Sequence, residues 1–528
     1  MTRALTVWWD GSEVGELSLD NGNMTFRYAQ AWLDDARALG VSISLPKQAE
    51  AFTRAQTRPF FAGLLPEERP RTEAARALGV SQQNDFGLLE GLGGDVAGAL
   101  ALWPRGEQVP QPDAAMPSVQ DEVALEAILA GLPRRPLLAG EQGIRLSLAG
   151  AQPKVPVVLV GGAVALPPAG LATTHIIKPA PRDYPTFPEN EAFCMRLAAE
   201  LGLPVAAVEV RRAGNQVYLL VERYDRVAGD DGILERLHQE DFCQALGVTP
   251  EHKYAAEGGP NFRAGFDLLR RATTVPAKAV LALVDAALFN LIIGNADAHG
   301  KNFSLLYARD ELRLAPLYDL LSTSLYPDVH AKLAMKMGGA ARLEEFNPET
   351  LKGFAEQAGV AAPYVRKRCL ELARRAQRAM AGVGRRLVEE GAPAETIDLL
   401  ATHISQRATA LIAVADLSGA NFMARFDQGI VEERFDRVAS DIQAFKADQP
   451  AVARHAAARL PRRIFSIHPG FKANTDKLEA WMEAEPNWRG VIENFASDPD
   501  RLETHVRGAL QSLEAFDGNA VAEEGGAA

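Results

Sequence analysis

The chain is poor in cysteine, with only Cys194, Cys243 and Cys369 among its 528 residues. Their odd number and wide spacing exclude a disulfide scaffold or a closely spaced zinc site and fit a reducing compartment. A basic surplus is also lacking, since 56 Lys and Arg stand against 68 Asp and Glu, a formal charge of -12. The surface as a whole is therefore not built to attract nucleic acid or anionic lipid, and any such contact needs a local patch. Long apolar runs are scarce. The residues before Asp10 include one arginine and too short an apolar stretch for a secretory signal. Residues 155–172 are uncharged and near membrane length, but Pro156, Gly161, Gly162, Pro167, Pro168 and Gly170 break them into a strand, a Gly-Gly turn and a loop. No fixed-period repeat occurs. A cytoplasmic protein without membrane contact is expected.

What is present is ordinary globular material, 47% hydrophobic and 23% charged, enough for about three to four domains at roughly 150 residues each. This excludes one small module and wholesale disorder. The first residues alternate as strands from Ala4 to Trp9, Val14 to Leu19 and Met24 to Tyr28, punctuated by Asp10-Gly11 and Asn21-Gly22, a strong hairpin signature. Helical spacing follows from Glu67 to about Leu100, and the proline-rich stretch from Pro104 to Pro117 reads as a linker. A second strand-rich block runs from Arg145 to Arg226, interrupted by one helix that starts near Pro188 and ends before Gly202. Beyond Gln239 the pattern is helical except from Phe303 to Leu314. More amphipathic helices follow Val414, and Asn519 to Ala528 read as a frayed acidic end.

The densest polar cluster in an apolar setting is Asn295-Ala-Asp297-Ala-His299-Gly300-Lys301-Asn302, between the expected helix Ala279 to Gly294 and the strand starting at Phe303. A carboxylate, an imidazole, an ammonium and an amide presented together at the edge of a core are the makings of a site. Asp297 and Asn302 have the spacing of a kinase catalytic loop, in which the Asp accepts a hydroxyl proton and the Asn holds magnesium. Downstream, Tyr318-Asp319 supplies a second carboxylate where kinases place a metal-binding Asp. Magnesium prefers oxygen ligands, so Asn302, Asp319 and nucleotide phosphates would be sufficient. Lys178 closes a β-branched run and could pair with phosphates, with Glu191 on the next helix as its partner. The segment Arg145 to Lys154 is rich in small residues and could cradle phosphate, although a plain turn explains it equally well. Glu222, Arg223 and Tyr224 end a strand between the two halves, where a kinase hinge would meet adenine. One basic stripe, Arg366, Lys367, Arg368, Arg374, Arg375, Arg378, Arg385 and Arg386, is a local candidate for DNA or an acidic partner.

The ordered set of motifs resembles the HipA family of bacterial toxin kinases. The resemblance rests on Phe60-Phe-Ala-Gly-Leu-Leu-Pro66, Ser147-Leu-Ala-Gly-Ala-Gln-Pro-Lys154, Thr174-His-Ile-Ile-Lys178, Glu189-Asn-Glu-Ala-Phe-Cys194 and Val221-Glu-Arg-Tyr-Asp-Arg226. It continues through Gln239-Glu-Asp-Phe-Cys-Gln244, Lys253-Tyr254, Gly258-Gly-Pro260, Asp297-Ala-His-Gly-Lys-Asn302, Tyr318-Asp319 and Lys332-Leu-Ala-Met335, spanning about residues 1 to 415. It implies an α+β, two-lobed, protein-kinase-like (phosphoinositide-kinase-like) fold. The expected divisions are an N-terminal β-rich domain at 1–110, a kinase N-lobe at 118–226, a helical C-lobe at 227–415 and a helical C-terminal extension at 416–528.

The resemblance further implies a type II toxin kinase that uses ATP and Mg2+ to phosphorylate Ser or Thr in a protein such as an aminoacyl-tRNA synthetase, arresting growth. Its expected partners are a small DNA-binding antitoxin of the HipB type and operator DNA, reached indirectly or through the basic helix Arg366 to Arg386. By position Ser147 matches an autophosphorylated serine. Ala149, Gly150, Ala151, Gln152, Pro153 and Lys154 match the phosphate loop, and Glu222, Arg223 and Tyr224 the adenine segment. Lys178, Asp297, His299, Gly300, Lys301, Asn302, Tyr318 and Asp319 complete the expected site, with Asp297, His299 and Lys301 catalytic and Asn302 and Asp319 on the metal. Two positions depart from the family pattern: Pro153 stands where an acidic residue is found and stiffens the loop, and Ala298 replaces a common glycine. The alternatives are a small-molecule or lipid phosphotransferase, and a catalytically silent co-repressor that serves an antitoxin on DNA.

Overall fold

The computed structural model describes residues 3–107, 109, 116–141, 144–229, 234–326, 332–416, 419–448, 450–484, 487–494, 496 and 498–516. Its contacts divide the chain into two compact units, Met1–Glu344 with Leu372–Ala408, and Glu345–Glu371 with Thr409–Ala528. The class is α+β. Half of the expected linker at 104–117 and all of the expected frayed end at 519–528 lie outside the described residues.

The first unit begins with the antiparallel meander Arg3–Trp9, Ser12–Asp20 and Asn23–Tyr28. Both turns, Asp10-Gly11 and Asn21-Gly22, place two successive residues at positive φ, the geometry that two-residue hairpins favour. The strand Leu100–Pro104 returns to pair with the first strand. Leu5, Val7, Leu17 and Phe26 alternate inward and are fully buried. They share a core with Phe52, Phe60, Phe61, Leu64 and Leu88, and the same core takes in Leu148 from a later loop.

A second, six-stranded antiparallel sheet has the order Ser118–Val119, Ala163–Leu166, Val155–Val160, His175–Pro179, Gln216–Glu222, Val208–Ala213. Ile177 and Leu220 pack on one face with Leu125 and Leu129 from the helix Glu122–Gly131. Because side chains alternate along a strand, Lys178 takes the other face, toward the helix Phe187–Glu200. That helix follows its punctuation, with proline in the first turn and Gly202 just beyond its end.

The helices Phe262–Ala272 and Pro276–Ile293 form the centre of the next part. Pro276–Ile293 is the one helix among the described residues long and apolar enough to cross a membrane, and 67% of it is buried inside the protein. It stops at Gly294, and the polar loop follows directly. The strands His238–Asp241, Ser304–Ala308 and Glu311–Leu314 form a three-stranded sheet beside that loop. A further hairpin, Lys332–Met337 with Ala340–Arg342, falls where only helix was expected. Its Ala, Met and Lys content favours helix, but Gly338 and Gly339, both at positive φ, turn the chain back on itself.

The second unit is helical. Phe426, Ile442, Phe471, Trp481, Leu502 and Val506 form its own core, drawn from helices that include Gly419–Val431, Phe435–Asp448, Thr475–Ala484 and Pro499–Ala515. Arg425 and Asp441 form a buried ion pair at 2.8 Å within it. The expected helices at Leu478 to Glu483 and Leu502 to Leu513 fall inside two of these elements.

Candidate active site

A cleft of about 480 Å³ in the first unit is lined by residues of the sheet, the hinge-like segment after Gln216–Glu222, and the polar loop. It gathers nearly every site residue expected from the sequence. Ala149 to Lys154, Lys178, Glu222, Arg223, Tyr224, Asp297, His299, Lys301, Asn302, Tyr318 and Asp319 all line it. Gly300 and Ser147 do not.

Lys178 is buried and places its ammonium 2.7 Å from Glu191 Oε1 while also pairing with Asp319. Lys178 stays charged because burial, which opposes its charge, is outweighed by Asp319 and Glu191. Asp319 responds in kind: burial would raise its carboxyl, but Lys178 and Lys154 hold it down at about 2. Glu191 is the loser of this shared arrangement, raised by burial and by the nearby Asp319 although Lys178 opposes the rise. Asp319 also has φ of 54°, a left-handed backbone that costs a non-glycine residue about 1 kcal/mol or more and recurs at functional sites.

The polar loop is built from within. Asn295 Nδ2 donates to Asn290 Oδ1 at 2.8 Å, and Asn295 Oδ1 accepts the backbone N–H of Asp297 at 3.0 Å. Asn302 Oδ1 accepts the N–H of His299 at 3.1 Å, closing a short turn over Gly300–Asn302. Asp297 keeps contact with solvent at the cleft, yet the protein crowded around it pushes its carboxyl up to about 6, against the pull of Lys253 and a hydrogen bond from Tyr254. His299 is pushed down to about 4, by burial first and then by Lys253, so it is neutral at pH 7. Its ring stands edge-on to Tyr254 at 5.3 Å.

Lys301 is turned to anchoring. Its ammonium donates to Asp241 at 2.6 Å and to the carbonyl of Gly63 at 3.2 Å, and lies 3.6 Å from Glu67. Gly300 is packed against Pro260 and Cys243 instead of facing the cleft. Asn295 from the polar cluster and Lys253 from the family motif also line the cleft, together with Glu67, which no local spacing marks. Lys253 and Glu67 meet across 186 residues of sequence.

The small-residue loop is folded inward. Ser147 is fully buried, with its hydroxyl donating to the carbonyl of Leu64 at 2.7 Å. Gly150 has φ of 114°, a conformation open to glycine, and its carbonyl accepts the N–H of Glu67 at 3.1 Å. Lys154 donates to the carbonyl of Ala149 at 2.7 Å, and burial lowers its pKa.

In the segment after Gln216–Glu222, Tyr224 stacks on Tyr318 with ring centroids 5.9 Å apart. Arg223 lines the cleft but directs its guanidinium into a buried network with Asp95 at 3.2 Å and Asp225 at 2.8 Å. Arg226 joins the same network through Asp95 at 2.8 Å. On the basic helix Ala362–Glu389, Lys367, Arg374, Arg378 and Arg385 recur at helical spacing and are all exposed, with Glu371 and Glu389 beside them.

Cation, carboxylates and amide are thus held at fixed positions around one cavity, an arrangement suited to orienting and neutralising a phosphorylated ligand. Residues 5–103 match the family model described as the HipA N-terminal domain, and residues 146–380 the model described as the HipA-like C-terminal domain. A Sinorhizobium fredii protein named as a kinase, Y4mE, is 56% identical over 375 residues, covering 70% of this chain and 89% of its own. The serine/threonine-protein kinase toxin HipA of Shewanella oneidensis is 33% identical over 390 residues, covering 70% and 87%. Among solved structures, the Shewanella oneidensis HipA in complex with HipB and operator DNA matches with a TM-score of 0.69 at 28% identity, over 78% of this chain and all of that one.

Proposed function

The chain belongs to the HipA family of bacterial serine/threonine-protein kinase toxins, and from that premise we propose that it transfers the γ-phosphoryl group of ATP to Ser or Thr hydroxyls of a protein. The observation that carries this reading is the meeting of Lys178, Glu191 and Asp319 with the loop at 297–302 in one cleft. In this reading Asp297 orients the acceptor hydroxyl and takes its proton, and a carboxyl lifted toward 6 is a better base than an ordinary one. Lys178, fixed by Glu191, presents positive charge to the donor's phosphates.

The donor set fits a hard divalent cation. Asp319 is ionised, and the Oδ1 of Asn302 keeps a lone pair beyond its bond to His299. Among the described residues no group of three or more His, Cys, Asp or Glu could hold a metal, so phosphates and water would complete the shell, as magnesium accepts. Bound there, Mg2+ supplies charge neutralisation at the phosphate oxygens. The folded loop from Ala149 to Lys154 offers backbone amides to the same phosphates, and Glu222 to Tyr224 border the expected adenine position.

The expected division into 1–110, 118–226, 227–415 and 416–528 serves as the working domain plan. The target is proposed to be a translation-related protein such as an aminoacyl-tRNA synthetase, and Ser147 an autophosphorylation site that must first leave its buried position. A HipB-type antitoxin and operator DNA are the proposed partners, by likeness to the Shewanella complex. The exposed face with Lys367, Arg374, Arg378 and Arg385 is a candidate for the DNA contact. Incorporation of labelled phosphate by wild-type and Asp297→Asn protein tests the catalytic assignment.

A further inference from the structure

We propose that Glu67, contributed by the N-terminal part of the chain, is a positioning residue for phosphoryl transfer. It acts by holding Lys253 and Lys301 in register with the phosphate loop. The inference rests on the functional reading above and adds a residue and a chain segment to it.

Three separate pieces of the cleft converge on this residue. The backbone N–H of Glu67 donates to the carbonyl of Gly150 at 3.1 Å, which pins the loop expected to cradle phosphate. Its Oε2 accepts from Lys253 at 2.9 Å. Its Oε1 lies 3.6 Å from the ammonium of Lys301 and, though buried, has no hydrogen-bond partner of its own. Lys301 in turn is tied to Asp241 and to the carbonyl of Gly63. The carbonyl of Lys253 accepts the N–H of Gly300 at 3.4 Å, so Lys253 reaches the catalytic loop through its backbone as well.

Glu67 lines the cleft and is only 8% exposed. Both lysines work against the effect of burial and keep its carboxyl ionised. One buried charge therefore bridges two cations from different segments. A neutral group at this position leaves Lys253 its ion pair with Glu68, whose side chain is 61% exposed. The catalytic loop would lose a side-chain tether while the backbone bond to Gly150 stays. The loop that binds the donor is thus preserved and the alignment of donor with Asp297 is not, which separates an effect on turnover from an effect on nucleotide affinity.

The experiment measures kcat and the KM for ATP in protein phosphorylation by full-length wild type, Glu67→Gln and Glu67→Asp, with thermal unfolding of each. A misplacement of about 1 Å in a positioned transfer costs on the order of a hundredfold. Glu67→Gln is accordingly expected to lower kcat by roughly tenfold to a hundredfold with the KM for ATP little changed. Glu67→Asp keeps the charge, folds more safely, and is expected to recover a measurable part of the loss. The inference is overturned if Glu67→Gln retains wild-type kcat, if the loss falls on KM alone, or if both variants lose activity equally in step with their melting temperatures. A wild-type protein that transfers no phosphate overturns the functional reading, and this inference falls with it.

Discussion

The buried ion-pair network of Asp95, Asp225, Arg223 and Arg226 gives the sharpest stability prediction. Asp95, 2% exposed, accepts the guanidinium of Arg226 at 2.8 Å, that of Arg223 at 3.2 Å and the hydroxyl of Thr173 at 2.6 Å. Asp225 answers the same two arginines at 2.8 and 3.1 Å. Arg236 approaches Asp95 only at 3.6 Å. In Asp95→Asn the shape is nearly kept, but Arg223 and Arg226 retain a single buried anion.

At such distances each pair is worth about 5 kcal/mol gross at an effective dielectric near 20, and desolvation offsets much of it. Removing one partner of a buried pair costs about 3–5 kcal/mol because the other charge is stranded. That is the expected loss for Asp95→Asn in urea unfolding of the first unit near pH 7. The pH dependence adds a second check. Burial would raise Asp95 and Asp225, but their arginines win and depress both. A depressed carboxyl contributes stability that is whole above the unfolded value of about 3.9 and is lost as pH falls through the folded value. The gap between wild type and variant should therefore hold from pH 7 to about 5 and close only in stronger acid. A loss under about 1 kcal/mol at pH 7, the size of an exposed pair, would mean that Asp95 does not carry a buried, shared ion pair.

Two further outcomes follow from the cleft. If Asp297 must be ionised to act, turnover falls about tenfold per pH unit below its raised value near 6. Tyr254→Phe, which removes a hydrogen bond that favours the carboxylate, moves this acid limb to higher pH, as initial rates from pH 5 to 8 will record. Gly300→Ala sets a Cβ 2.7 Å from Pro260 Cγ and 3.0 Å from Cys243 Sγ. Crowding of this kind costs about 1–3 kcal/mol, measurable as a lower urea midpoint, and displaces the catalytic loop with a parallel loss of kcat.

The parts legible in the sequence are those with local grammar. Asp10-Gly11 and Asn21-Gly22 mark their hairpins, Pro188 and Gly202 bracket their helix, and Lys178, Glu191, Asp297, Asn302 and Asp319, in that order along the chain, line one cleft. What stayed hidden depends on pairing across long separations. Glu67 meets Lys253, and Asp95 meets Arg223 and Arg226, only because two sheets and the loop after Leu146 fold onto one another. No spacing within any one segment encodes those pairs. The partners of Lys301 are non-local in the same way: the motif places it in the loop as a catalytic and loop-supporting residue, and its ammonium meets Asp241 and Glu67 from distant segments. The hairpin at 332–342 was masked by residues that prefer helix, with two glycines as its only mark.

In the proposed reaction this cleft transfers phosphate, with Asp297 as the group that handles the acceptor proton. This assignment is tested most directly by incubating wild-type and Asp297→Asn protein with labelled ATP, magnesium and lysate proteins, and measuring incorporated label. Label on protein is expected with the wild type, with a loss of about a hundredfold or more in the variant at retained nucleotide binding. Equal incorporation by the two proteins would contradict it.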